Sequence, residues 1–130
     1  MWMSFKHYGR KQIGEWIDSN IEQAKYLHKM VEKESVFESA TEPVMSAICI
    51  RFLSDGMDAS QLKKMHHKVT SEIEKEGNFW FATTEMKGKT WFRINPVNIH
   101  TTKEHMEKLY EVLKEKCRKV EEEMRVMSDL

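Results

Sequence analysis

A chain of 130 residues, 40% apolar and 32% charged, has the size and balance of one soluble domain that buries a core without metal or disulfide staples. Its 21 basic and 21 acidic residues cancel, leaving no global field to gather nucleic acid or an anionic membrane surface. No apolar run approaches the roughly 18 residues of a membrane span, and the N-terminus lacks the layout of a secretory signal, so no membrane partner is expected and the cytoplasm is the default location. Cys49 and Cys117 fall in regular elements at unrelated spacing and read as free thiols of a reducing compartment.

Met1 to Tyr8 reads as helix, bent at Gly9, and a longer helix follows to Glu34. Ile13, Trp16, Ile17, Ile21, Ala24, Leu27 and Val31 recur at three- and four-residue steps and make one apolar stripe. Opening mid-pattern on Trp2 and Phe5 with no cap, the chain is expected to continue from a preceding segment in the intact protein. Phe37 to Thr41 is an edge strand closed by Pro43. Ser46 to Phe52 is a second strand, with Ile48, Ile50 and Phe52 on one face and Ala47, Cys49 and Arg51 on the other. Asp58 or Ser60 caps the next helix, which turns Leu62, Met65, Val69 and Ile73 inward and ends near Gly77.

A hairpin follows, Phe79 to Met86 and Lys89 to Ile94, with Gly88 supplying the positive φ of a tight turn. Thr101 or Thr102 caps the last helix, with Glu104 in its first turn. Met106, Tyr110, Leu113, Cys117, Val120, Met124 and Met127 form a heptad seam along it. That seam is either core-facing with a frayed tail or a contact to a second subunit or domain. The order of elements fits an α+β two-layer sandwich: a mostly antiparallel sheet of about four strands with helices on one face.

Three stretches together carry a family resemblance. Met1-Trp-Met-Ser-Phe-Lys-His-Tyr-Gly9 with its amphipathic helix, Ser46-Ala-Ile-Cys-Ile-Arg-Phe52, and Gly88-Lys-Thr-Trp-Phe-Arg93 followed by Asn98 and Thr102 stand in the order and spacing of the group II pyridoxal-phosphate amino-acid decarboxylases. The resemblance is to their C-terminal small domain, of fold-type I, and runs from Met1 to about Lys116. It implies that residues 1–9 are the connecting helix from a large domain and that 117–130 extend the last helix. Lys6 stands where the family often has arginine, Ile99 where it often has proline, and Pro96 falls inside the strand exit.

The resemblance also implies a cofactor, pyridoxal 5'-phosphate, held in the parent enzyme by a large-domain lysine that follows a histidine. His66-His67-Lys68 lies mid-helix and reads instead as a solvated helix face, so no cofactor is expected on this chain alone. Arg93 is the site residue the resemblance points to, matching the arginine that approaches the substrate carboxylate in the glutamate branch. Alternation sets it with Trp91 and Asn95, opposite Phe92 and Ile94, facing a large domain if the helices cover the Phe92 face. The bland reading is a surface arginine or one paired on the same sheet. Arg51 reads as a structural ion pair, and the six histidines show no metal-ligand spacing. Trp80, Phe81, Trp91 and Phe92 put aromatics on both hairpin faces, an interface or, less in keeping with the neutral charge, an RNA-stacking platform.

The expected function is that of a decarboxylase small domain, not catalytic alone, closing a substrate site and orienting a carboxylate. Its partners would be the large domain, an amino-acid substrate and a second subunit of a homodimer. The alternative is a stand-alone binding or dimerisation module. A small enzyme in its own right ranks last, because no nucleophile–base pair or paired carboxylates stand out.

Overall fold

The computed structural model describes residues 1–96 and 100–128, so Asn98 and Ile99 lie outside the described residues. Seven elements follow in order: α1 (Trp2–Lys33), β1 (Phe37–Ser39), β2 (Ile48–Phe52), α2 (Ala59–Glu76), β3 (Ala82–Met86), β4 (Lys89–Ile94) and α3 (Lys103–Ser128). The strands form one sheet in the order β1-β2-β4-β3, every pair antiparallel. The α+β two-layer expectation is borne out.

Local chemistry sets the boundaries. Asp58 caps α2 through a reciprocal box: its carboxylate accepts from the Gln61 N–H at 2.8 Å and its own N–H donates to the Gln61 side chain at 3.0 Å. Gly77 ends that helix in the left-handed region at φ 77°. Lys87 and Gly88 both take positive φ, 52° and 76°, as a two-residue type I′ hairpin turn requires. Thr102 opens α3, where the His105 N–H approaches its hydroxyl at 3.4 Å and the Thr102 N–H donates to His105 Nδ1 at 3.0 Å. A histidine thus fills the place usually held by glutamate in such a box, a role the sequence reading did not foresee.

One core lies between the sheet and the helices. Phe37, Ile48, Ile50, Phe52, Phe92 and Ile94 line the sheet side, met by Leu27 and Val31 of α1, Met65 and Val69 of α2, and Leu113 and Val120 of α3. α1 covers β1 and β2, α2 covers β4 and β3, and α3 packs on both helices.

Two expectations need correcting here. The α1 stripe is not uniformly packed. Ala24, Leu27 and Val31 are buried, whereas Ile17 is half exposed and Trp2, Met3, Phe5 and Tyr8 are exposed. The helix outruns the sheet, so equal spacing does not bring equal burial, and a backbone break at Gly9 (φ 81°, ψ 160°) redirects its first turns. His66 is not on a solvated face but fully buried. Its Nε2 accepts from the Phe52 N–H at 3.2 Å, its Nδ1–H donates to the Leu62 carbonyl at 2.6 Å, and its ring packs on Phe92. His67 and Lys68 are exposed as expected, the latter paired with Glu123 at 2.8 Å.

The α3 seam faces the core from Met106 through Val120, while Met127 stands exposed. Beyond Lys116 the helix is still tied down, by Ser54 donating to Glu121 and by Arg125, whose Nη2 would lie 3.4 Å from a Cβ at Gly56.

Candidate functional site: Arg93 and the open sheet face

Because side chains alternate along β4, Phe92 and Ile94 enter the core and Trp91 and Arg93 project from the opposite face. The register sets Arg93 between Cys49 on β2 and Ala82 on β3. Small neighbours on both sides leave the guanidinium exposed, and among the described residues it makes no ion pair. Its charge still acts locally. Burial raises the Cys49 thiol pKa and the Arg93 cation opposes that rise.

Arg51 shares this face but is already engaged. Its guanidinium binds Glu38 at 2.9 Å and lies 5.6 Å from the centre of the Trp91 ring. The reading of Arg51 as a structural ion pair holds. Trp91 is 6% exposed although it points away from the helices, and Trp80 is 78% exposed. The two-faced aromatic hairpin is therefore real, with Phe81 and Phe92 inside and the two tryptophans outside.

At the end of the hairpin a groove of about 570 Å³ opens beside Arg93. Phe79 and Trp80 form one wall, Asn95 and Thr101 another, and His105 with Leu109 closes it from α3. Two hydrogen bonds pin Asn95 and Thr101. Ser46 donates to the Asn95 side chain at 2.8 Å, and the Gln23 amide of α1 donates to the Thr101 carbonyl. The groove thus sets Arg93, which makes no ion pair among the described residues, and the Asn95 amide against an aromatic wall. Such a set pairs a carboxylate in bidentate fashion and seats an apolar body beside it. None of the described residues that line it is a lysine, so they do not fit covalent attachment of pyridoxal phosphate. Among the described residues no cluster of three His, Cys, Asp or Glu side chains stands ready for a metal ion, and no helix is long and apolar enough to cross a membrane.

Comparison with known proteins adds what the groove alone does not say. An aromatic-L-amino-acid decarboxylase of Bacillus atrophaeus is 27% identical over 107 residues, 82% of this chain. Tyrosine decarboxylase 2 of Arabidopsis thaliana is 20% identical over 119 residues, 92% of the chain. This chain is similar to part of a pyridoxal-phosphate amino-acid decarboxylase. It spans 22% of the length of each of these relatives. Among solved structures, Oryza sativa TDC with PLP and tryptamine superposes with a TM-score of 0.78 at 20% identity, over 91% of this chain and 26% of that one. The glutamate decarboxylase domain of a Vibrio parahaemolyticus diaminobutyrate-pyruvate transaminase and L-2,4-diaminobutyrate decarboxylase gives the same TM-score of 0.78 at 21% identity, over 91% and 25%. No protein-family model matches the chain. The decarboxylase resemblance read from the three stretches is borne out by these relatives, and the two-layer fold by the superpositions.

Proposed function

We propose that this chain is the C-terminal small domain, or a fragment carrying it, of a pyridoxal-phosphate-dependent amino-acid decarboxylase, and that Arg93 orients a substrate carboxylate there. The observation that carries the proposal is Arg93 itself, a cation that makes no ion pair among the described residues and stands beside an aromatic-walled groove, in a chain whose relatives are about four times longer. In this reading residues 1–9 connect to a cofactor-binding large domain, residues 1–116 form the small domain and 117–130 continue its last helix. The intact enzyme is a cytoplasmic homodimer.

Bound pyridoxal phosphate supplies the electron sink for the carbanion that loss of carbon dioxide leaves. This chain's residues do other work. Arg93 and Asn95 hold and orient an anionic group, Phe79 and Trp80 keep water from one side of it, and Ser46 and Gln23 keep the wall in place. Orientation of this kind carries several kcal/mol of a barrier when the breaking bond must stand at a fixed angle to the cofactor.

The chain alone is not catalytic in this reading, because the cofactor-bearing lysine belongs to the large domain. Treating the purified chain with pyridoxal phosphate and borohydride is therefore expected to give scattered, substoichiometric labelling. One adduct per chain at a single lysine would overturn the reading in favour of a small cofactor enzyme. The second reading, a stand-alone binding or dimerisation module, draws on the exposed apolar residues of α1.

A further inference from the structure

The cap of α3 does more than start a helix, because it also decides where the His105 ring carries its proton. The Thr102 N–H donates to His105 Nδ1 at 3.0 Å, and the His105 N–H approaches the Thr102 hydroxyl at 3.4 Å. A ring nitrogen that accepts a backbone N–H presents a lone pair there, so the proton of the neutral imidazole sits on Nε2. Among the described residues none accepts from that Nε2–H. A glutamate in the same place would cap the helix equally well but would bring no donor. Histidine therefore adds something that capping does not need.

Two grooves meet at this exposed ring. One, of about 710 Å³, runs along α3 past Glu107 and Glu111, whose carboxylates outnumber Lys108 and repel an anionic acceptor. The other is the Arg93 groove of about 570 Å³. It reaches the core side of the sheet's end, where Phe81, Ile94, Met106 and Leu109 line it, and none of its described lining residues is an aspartate or glutamate. Here a cation on β4 and a neutral N–H donor on α3 border one cavity that holds no carboxylate of its own. The acceptor that both lack must come from a ligand, and the cation selects an anionic one.

We propose that His105 is a second ligand-binding residue of the Arg93 groove, donating its Nε2–H to a carboxylate whose apolar body lies along Met106 and Leu109. The proposal rests on Arg93 holding a carboxylate in that groove. A carboxylate has two oxygens and about four acceptor directions, so a bond from His105 costs Arg93 none of its own. The imidazole adds direction rather than charge, since it donates along one fixed N–H. Its place depends on α1 as well, because Gln23 holds the Thr101 carbonyl just before the cap.

The test is NMR of the full chain at pH 8 with nitrogen-15 in its histidine rings. His105 is assigned by its disappearance in His105→Glu, which keeps a capping side chain at that position. Its ring is expected as the Nε2–H tautomer. Titration with 3-phenylpropionate should move His105 Nε2 saturably, together with the indole N–H of Trp80 in the groove wall, and the neutral 3-phenylpropanamide should not move Nε2 equally. His105→Glu should bind the acid about tenfold more weakly, the loss of a hydrogen bond to a charged group, with its circular dichroism unchanged. Suppose the Trp80 signal moves with the acid and stops moving in Arg93→Gln. A His105 Nε2 that then stays still, moves equally with the amide or carries no proton, or wild-type affinity in His105→Glu, would overturn this inference and leave the Arg93 reading standing. If neither signal moves with the acid, both fall.

Discussion

Acidification is expected to weaken this fold through His66, and the size of the effect follows from where that ring sits. The ring is fully buried, accepts the Phe52 N–H and donates to the Leu62 carbonyl, so the folded state needs it neutral. Burial drives its pKa down from the ordinary 6.5 to about 4, opposed by the hydrogen bond to Leu62 and assisted by the nearby charges of Arg51 and His67. The unfolded chain binds this proton near pH 6.5, while the folded chain binds it only near pH 4. The contribution is therefore fully present above the unfolded value and is lost as the pH falls toward the folded one. Linkage gives a loss of about 2 kcal/mol by pH 5 and about 3 kcal/mol by pH 4, with little further change from this group below that. Urea titrations at several pH values measure it, and His66→Leu subtracts the carboxylates that titrate in the same window. The variant should lose about 1–3 kcal/mol at neutral pH, because the Phe52 N–H is stranded, yet fall less steeply than the wild type on acidification. Parallel acid curves for the two proteins, or a His66 ring that titrates near 6.5 by NMR, would refute the reasoning.

Three further outcomes are expected. Asp58→Ala removes the carboxylate that accepts from the Gln61 N–H in the α2 capping box and should cost about 1 kcal/mol by urea denaturation, with the spectrum of the folded state unchanged. The Cys117 thiol, fully buried and with its pKa pushed far up, should resist a disulfide reagent until global unfolding, while half-buried Cys49 reacts in the folded chain. Arg93→Gln should slow the reaction at Cys49 at fixed pH, since the arginine's charge holds that thiol's pKa below where burial alone would put it.

Much of the architecture was legible because its signals are local. Gly77 and Gly88 mark a helix end and a hairpin turn that need a positive φ, and Asp58 stands three residues before Gln61 at a helix start. Alternation in the second strand and the hairpin set which residues enter the core, so Arg93 could be assigned to the outer face before any strand order was known. The order itself decides what lies beside it. Placing β4 between β2 and β3 puts Cys49 and Ala82 next to Arg93 and Arg51 over Trp91, and nothing in sequence spacing reports that. His66 was misread for the same reason. A helical wheel sets it at the margin of the apolar stripe, and only the end of β2, arriving with the Phe52 N–H, and the Phe92 ring turn that margin into core. The stripe of α1 misled in the opposite direction, since Ile17 repeats the spacing of Leu27 and Val31 but lies beyond the sheet's reach.

That this chain is one part of a larger decarboxylase is tested most directly by the mass of the native polypeptide. Peptides of this sequence should be recovered from a lysate of the source organism in a species roughly four times longer, at its C-terminal end. Recovery of all these peptides in a species near 15.5 kDa would contradict the claim.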